Sequence, residues 1–416
     1  MKKELMDRIR DDMRYEFSRP GPPEGFPAFP DIPTGRHTSQ LFYDLEQAHV
    51  WPNVWVLAGR ENEIPNPGDY LLFEKLGVPL LVIRGRDGVV RCFYNTCRHR
   101  GAPVVREAQG NADRLRCQYH SWTYDIDDGK LIAVPDQRDF VGLDRAERCL
   151  VPAACEVLAG FIFVNRNANA TPLLEWLGGA ADFFAPYEGA NLEIIYQRSE
   201  IVPCNWKVTA EAFMEVYHFK HIHMRDWGSL LENRGAAMGL YRNGHGRMIT
   251  PYSQEEADRV GMKAWDDWQS IVDPDFPDIS AVPDMYRSTS TSLGIFPNII
   301  IPFSSSGFPI NLYWPVDPGT TRFEWIFYGI KDWDGDELPE RWQHRKAMFD
   351  EIQEEDMRNM APMHASLKSG ALPGIPINYQ ERRIRHMHEQ IDAMIGAENI
   401  PPELRVEPIL GPYVED

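Results

Sequence analysis

The sequence has 416 residues, 43% of them hydrophobic and 25% charged, with a formal net charge of −19. This length exceeds one small core and implies two domains, or one domain plus a large partner region. So acidic a surface repels nucleic acid and anionic lipid, and no apolar run reaches the roughly 18 residues a membrane helix needs, so neither nucleic acid nor membrane is expected as a partner.

In chain order, the first 17 residues are charged throughout and read as an amphipathic surface helix. They lack the apolar stretch of a signal peptide, and a cytoplasmic location is expected. Residues 20–35 hold six prolines and three glycines, the composition of an extended arm. Short strands follow at 51–57, 70–73, 78–84 and 89–94, separated by turns at 65–68 and 86–88, and they predict a small all-β domain. Beyond residue 166 the pattern changes. Helices are expected at 172–187, 205–220, 254–271, 338–360 and 380–396, with strands at 192–202, 292–302, 310–316 and 321–330. That mixture predicts an α+β domain with an antiparallel sheet and helices to one side. The proline-rich stretch 373–376 reads as a surface crossing.

Two constellations carry the chemistry. The first is Cys97-x-His99, then 17 residues, then Cys117-x-x-His120. Two thiolates can hold one iron of a [2Fe–2S] cluster and two imidazoles the other, which raises the reduction potential above that of an all-cysteine cluster. A Cys2His2 zinc site competes, but zinc fingers group their cysteines apart from their histidines, whereas each half-site here pairs one of each. Cys92, Cys149, Cys155 and Cys204 have no such companions and read as buried thiols.

The second constellation lies in residues 205–223. Glu211, Glu215 and His218 stand at i, i+4 and i+7, which would place them on one helix face. Burying such groups unpaired is costly, and the nearby aromatic residues argue against a wet surface, so a metal site is indicated. Spacing leaves the histidine pair open. His218 with His221 suits an unbroken helix; His218 with His223 needs a break or bulge. Two histidines and one carboxylate on one face of a metal leave positions for O₂ and substrate. The carboxylate must come from elsewhere, and helix 338–360 offers Asp350, Glu351, Glu354, Glu355 and Asp356, most of them a solvated face.

Segments 95–102 (NTCRHRGA) and 117–124 (CQYHSWTY) closely resemble the two loops of the Rieske domain in ring-hydroxylating non-haem iron oxygenases, large (α) subunit. Residues 205–223 resemble the iron-binding segment of the same family. The resemblance implies residues 51–165 as the Rieske domain, 166–416 as a catalytic domain of helix-grip type, and 1–50 as a helix and arm belonging to the latter. It implies that Cys97, His99, Cys117 and His120 bind the [2Fe–2S] cluster, with Trp122 packed beside it. It selects His218 and His223 as ligands of a mononuclear Fe(II). It gives the third ligand to Asp356, with Glu355 as competitor. Glu215 would bridge His218 to His120 of a neighbouring chain. Ala212 stands where many aromatic dioxygenases have Asn, which weakens any transfer of substrate.

The implied partners are O₂ and a ferredoxin or reductase carrying electrons from NAD(P)H. Arg98, Arg100 and Arg116 could form a basic docking patch for an acidic donor. Bridging between chains implies a closed ring of identical chains, and the resemblance implies a homotrimer, with or without a small β subunit. The substrate is expected to be hydrophobic and aromatic and to be cis-dihydroxylated. A monooxygenase or demethylase acting on a steroid-like or N-methylated compound is the alternative. Phe213, Phe219, Phe296 and Ile300 are the expected pocket lining.

Overall fold

The computed structural model describes residues 3–223, 231–253 and 275–415; the helix expected at 254–271 lies outside them. The chain divides into two compact units, Trp51–Leu173 and a larger one made of Met1–Val50 with Leu174–Asp416. Among the described residues no helix is long and apolar enough to cross a membrane.

In the smaller unit seven antiparallel strands lie in the order Val56–Arg60, Phe161–Asn165, Pro152–Leu158, Val90–Tyr94, Leu80–Arg84, Asp69–Phe73 and Gln109–Asn111. A second, three-stranded sheet joins Leu115–Arg116, Thr123–Tyr124 and Leu131–Ala133. The first strand starts later than the 51–57 expected. Pro52 has no N–H for a ladder, and Trp51 and Trp55 are instead buried in the turn before the strand, Trp55 Nε1 donating to Thr171 O at 2.9 Å. The core of this unit packs Leu81, Ile83 and Phe93 against Cys97, Cys117 and Trp122.

The larger unit is built on an eight-stranded sheet. Its order is Glu193–Val202, Thr320–Gly329, Phe308–Asp317, Ile299–Phe303, Thr289–Ile295, Gly246–Pro251, Ala237–Tyr241 and Val414–Glu415. All neighbours are antiparallel except the last pair, where the chain terminus adds a parallel edge. The single strand expected at 292–302 is two strands. Pro297 interrupts it, since a proline cannot donate to the ladder of a central strand. Helix Lys3–Ser18 buries Leu5, Ile9 and Met13, spaced four apart, and its Asp12 meets the fully buried Arg247, which also holds Glu415. The stretch expected to cross the surface at 373–376 is exposed at Pro373 and Pro376 and contributes Gly374–Ile375 to a two-stranded ladder with Ile32–Pro33.

Helix Glu340–Lys368 is longer than forecast. It buries Gln353, Asp356, Met360 and His364 along one face and leaves Glu351 and Glu354 exposed. Helix Trp206–Glu211 is shorter. Asn205 caps it by accepting from Lys207 N at 3.0 Å. Lys207 itself is fully buried and paired with Glu46 Oε1 at 2.7 Å; Glu46 Oε2 accepts from Trp206 Nε1 at 3.1 Å. The N-terminal segment thereby anchors the start of the site helix.

Candidate metal centres and active-site cavity

The two cysteine–histidine loops share one backbone plan. Asn95, delivered by strand Val90–Tyr94, closes the first loop at its base. Its Oδ1 accepts from Val104 N and Val105 N at 2.9 and 3.0 Å, and its Nδ2 donates to Val105 O at 2.9 Å. Cys97 N donates to Ala102 O at 2.8 Å and Cys117 N to Trp122 O at 2.9 Å. Four residues after each cysteine, Gly101 and Ser121 adopt φ of 76° and 61°. The turn therefore needs a left-handed residue, which glycine supplies freely and serine at some cost.

This plan brings the donors together in pairs, thiol with thiol and imidazole with imidazole. Cys97 and Cys117 are buried, unbridged and close enough to interact. His99 Nδ1 and His120 Nδ1 converge to 3.1 Å, so both Nε2 atoms turn away from the meeting point. Trp122 stacks on His99 with ring centroids 4.9 Å apart and 11° between planes. Arg98 N donates to the Tyr124 hydroxyl at 2.9 Å, which directs the hydroxyl proton toward Cys97 Sγ, 3.2 Å away. Burial raises the Cys97 pKa, so a thiolate there calls for a bound cation. Two thiols beside two converging imidazole nitrogens fit a Rieske cluster.

The second constellation departs from expectation in an instructive way. The helix ends at Glu211, and residues 212–218 are irregular before a short helix resumes at Phe219–Ile222. Glu211, Glu215 and His218 therefore do not share a helix face. Glu211 turns away. Its Oε1 meets His37 Nε2 at 2.8 Å and His388 Nε2 at 2.9 Å. Arg36 Nε donates to His388 Nδ1 at 2.9 Å, which fixes the His388 proton on Nε2, the atom that donates to Glu211. Burial opposes the Glu211 charge, but His37 and His388 hold its pKa well below the usual range. These three side chains are a hydrogen-bonded clamp on the end of the helix.

The break supplies the bend that a His218–His223 pair requires. Glu215 Oε2 accepts from Tyr217 N and from His218 N, the latter at 3.2 Å, which fixes the turn that leads into the resumed helix. Glu215 Oε1 bonds His218 Nδ1. His218 Nε2 and His223 Nε2 then face Asp356 Oδ1 at 3.5 and 3.4 Å. Asp356 Oδ1 is buried without a hydrogen bond among the described residues. Separations slightly beyond hydrogen-bond length around an orphaned oxygen are those of neighbouring ligands about one ion of roughly 2.1 Å bond length. The donor set fits mononuclear iron. His221 is exposed and takes no part.

Glu355, the competitor for the third position, has a different contact: its Oε2 meets His223 Nδ1 at 2.7 Å. Each histidine thus carries a carboxylate on Nδ1 and turns Nε2 inward, the arrangement that orients metal-binding imidazoles. For both rings burial disfavours the charged form. For His218 the Glu215 hydrogen bond and the Glu215 and Asp356 charges outweigh it, and for His223 Asp356 and Glu355 do, so both pKa values are raised. A bound cation would take the place of those protons.

The triad opens into a cavity of about 280 Å³. Phe213, Phe219 and Ile300 line it as expected; Phe296 does not. Phe296 lies just before the interrupting proline, where its N–H donates to His245 Nδ1 at 3.0 Å, and its ring lies against Gly244. Two of the cysteines read as buried, Cys149 and Cys155, are partly exposed. Several groups that hold the site carry no local sequence signal: His37 and His388 on Glu211, Arg383 Nη1 on Met214 O at 3.3 Å, and Asn233 Nδ2 on Val216 O at 2.7 Å. Their distance in sequence hides them.

Comparison with known proteins agrees with this geometry. The family model for the ring hydroxylating alpha subunit (catalytic domain) matches residues 187–397, and that for the Rieske [2Fe-2S] domain matches 54–151. The α subunit of 2-aminobenzenesulfonate 2,3-dioxygenase from Alcaligenes sp is 30% identical over 294 residues, 70% of this chain and 72% of that one. Other curated relatives, glycine betaine and carnitine monooxygenases and benzene dioxygenase α subunits among them, align over only about half of their own lengths. Among solved structures, naphthalene 1,2-dioxygenase from Rhodococcus sp. superposes with a TM-score of 0.68 at 20% identity, covering 95% of this chain and 99% of that one. A quaternary ammonium Rieske monooxygenase, described for carnitine oxidation and inter-subunit electron transfer, superposes with a TM-score of 0.69 at 21% identity, covering 91% and 98%. The chain belongs to the ring-hydroxylating Rieske non-haem iron oxygenases, as an α subunit with a [2Fe–2S] domain and a mononuclear-iron catalytic domain.

Proposed function

We propose that this chain is a terminal oxygenase that inserts oxygen from O₂ into a hydrophobic ring compound, with electrons delivered singly by a ferredoxin or reductase. The observation that carries the reading is the opening of the His218–His223–Asp356 face into a chamber lined by Phe213, Phe219, Tyr252, Tyr286, Phe303 and Phe349. Aromatic side chains of this number favour a flat apolar guest.

In this reading Cys97, Cys117, His99 and His120 hold the cluster and His218, His223 and Asp356 hold the iron. The cluster would supply single electrons and the iron would supply dioxygen binding and activation. The protein does the rest. Glu215 and Glu355 fix the two imidazoles by their Nδ1 protons. The aromatic walls exclude water and hold the guest beside the triad. Glu215 also stands as the positioning residue that would join His218 to His120 of a neighbouring chain in a homotrimer. The outward-turned Nε2 of His120 and the position of Glu215 beside His218 support that role.

The test is turnover of the iron-loaded protein with a surrogate reductase, isotopically labelled O₂ and a panel of ring compounds and N-methylated amines. The reading expects label in a hydroxylated ring product, and two labelled atoms indicate dihydroxylation. Label appearing only in products of N-demethylation would replace it with the monooxygenase alternative.

A further inference from the structure

The chamber wall contains two amides whose carbonyl oxygens find no hydrogen-bond partner among the described residues. Asn311, on strand Phe308–Asp317, and Gln353, on helix Glu340–Lys368 one turn before Asp356, both line the cavity and are 2% and 7% exposed. Among the described residues neither Asn311 Oδ1 nor Gln353 Oε1 has a hydrogen-bond partner. Asn311 approaches the Tyr313 hydroxyl, but without the geometry of a hydrogen bond. A buried amide left unpaired is destabilising. Two of them on the wall of a mainly apolar chamber are badly explained as packing.

Charge narrows what they could meet. The described lining residues include no Lys or Arg. The carboxylates among them are Glu215 and Asp356, both turned to the metal-site histidines. A carboxylate or sulfonate substituent on the guest has no cation to pair with among them, and an ammonium has only the aromatic faces. An amide, by contrast, presents N–H on one edge and C=O on the other, so a half-turn serves a donor or an acceptor.

We propose that Asn311 and Gln353 form a specificity subsite for an uncharged hydrogen-bonding substituent, such as a carbonyl or carboxamide, on an otherwise apolar ring substrate. This deepens the oxygenase reading and rests on it. Gln353 lies three residues before Asp356 on the same buried helix face, so a substituent held there fixes which edge of the ring meets the triad. The pair would set regioselectivity as well as affinity.

The test compares dissociation constants of the anaerobic holoenzyme for ethylbenzene, acetophenone, benzamide, benzoate and phenyltrimethylammonium. Acetophenone or benzamide is expected to bind about tenfold or more tightly than ethylbenzene, with the two ions weakest. Asn311→Leu and Gln353→Leu, which lie on different elements, should each shrink that preference while leaving ethylbenzene binding equal or stronger. Cluster absorbance and circular dichroism check that the variants fold, and the wild-type comparison needs no variant. Equal binding of ethylbenzene and benzamide, tightest binding of an ion, or a preference unchanged in both variants overturns the subsite. If ethylbenzene is nevertheless oxygenated, the subsite falls and the oxygenase reading stands. If no ring compound binds, both fall.

Discussion

Replacing Glu355 with Gln separates the two adjacent carboxylates of helix Glu340–Lys368. Glu355 Oε2 lies 2.7 Å from His223 Nδ1, whereas Asp356 Oδ1 lies 3.4 Å from His223 Nε2 and 3.5 Å from His218 Nε2. Glu355 is therefore expected to orient a ligand and Asp356 to be one. Loss of a carboxylate behind a metal-bound imidazole costs about 10–100-fold in metal affinity, or about 1.4–2.7 kcal/mol. The glutamine carbonyl can still accept from Nδ1, so Glu355→Gln should fall near the low end of that range and Glu355→Ala near the high end. Asp356→Asn should weaken iron binding well beyond it. The assay is anaerobic Fe(II) titration of chelator-treated protein, with Rieske absorbance as an internal standard. Complete loss of iron in Glu355→Gln, with retention in Asp356→Asn, would reverse the two roles and refute the argument.

Other substitutions probe other parts of the account. Glu215→Gln, loaded with excess Fe(II) to offset the weaker hold on His218, should keep the cluster and the mononuclear iron yet lose substrate turnover; near-normal turnover in multiple-turnover assays removes the bridging role. Charge reversal at Arg100 and Arg116, both exposed beside the cluster loops, should slow reduction by the protein donor but not by dithionite, and equal slowing with both contradicts donor docking there. Glu46→Ala leaves Lys207 buried without its carboxylate and should cost about 3–5 kcal/mol in denaturant unfolding, with less than about 1 kcal/mol contradicting the anchor. His245, fully buried, accepts from Phe296 N at 3.0 Å and bonds Trp176 O at 3.1 Å; burial holds its pKa down at about 3. Since the unfolded value is about 6.5, its contribution to stability is fully present above that pH and is lost as pH falls toward about 3. By pH 5 the loss is about 2 kcal/mol, so the pH 7 to pH 5 difference in unfolding free energy should be smaller in His245→Gln by that amount. An unchanged difference contradicts the buried neutral imidazole.

The proposed cluster site was legible because its four candidate donors sit in two short loops, each spacing a cysteine and a histidine within four residues. The choice of His218 and His223 came from resemblance, and spacing could not have made it. Periodicity treats 205–220 as one helix, while the fold ends the helix where Glu211 is clamped by His37 and His388. Those histidines lie 174 and 177 residues from Glu211, beyond the reach of any local pattern. The acidic run Glu354–Asp356 was ambiguous for a similar reason: adjacent helix positions point about 100° apart, so only tertiary packing decides which carboxylate faces the histidines. The all-β and α+β character followed from residue patterns, and the places where strands failed, at Pro52 and Pro297, are positions where proline withholds a ladder donor. Asn311 and Gln353 look unremarkable in sequence; their interest arises only from lining one chamber while each buried carbonyl oxygen lacks a partner among the described residues.

The central claim is that this polypeptide holds two chemically distinct iron centres. Metal and acid-labile sulfide analysis of fully loaded protein tests it most directly. The account expects about three irons and about two sulfides per chain, with the red-brown absorption of a Rieske cluster. A colourless protein containing zinc and no labile sulfide would contradict it.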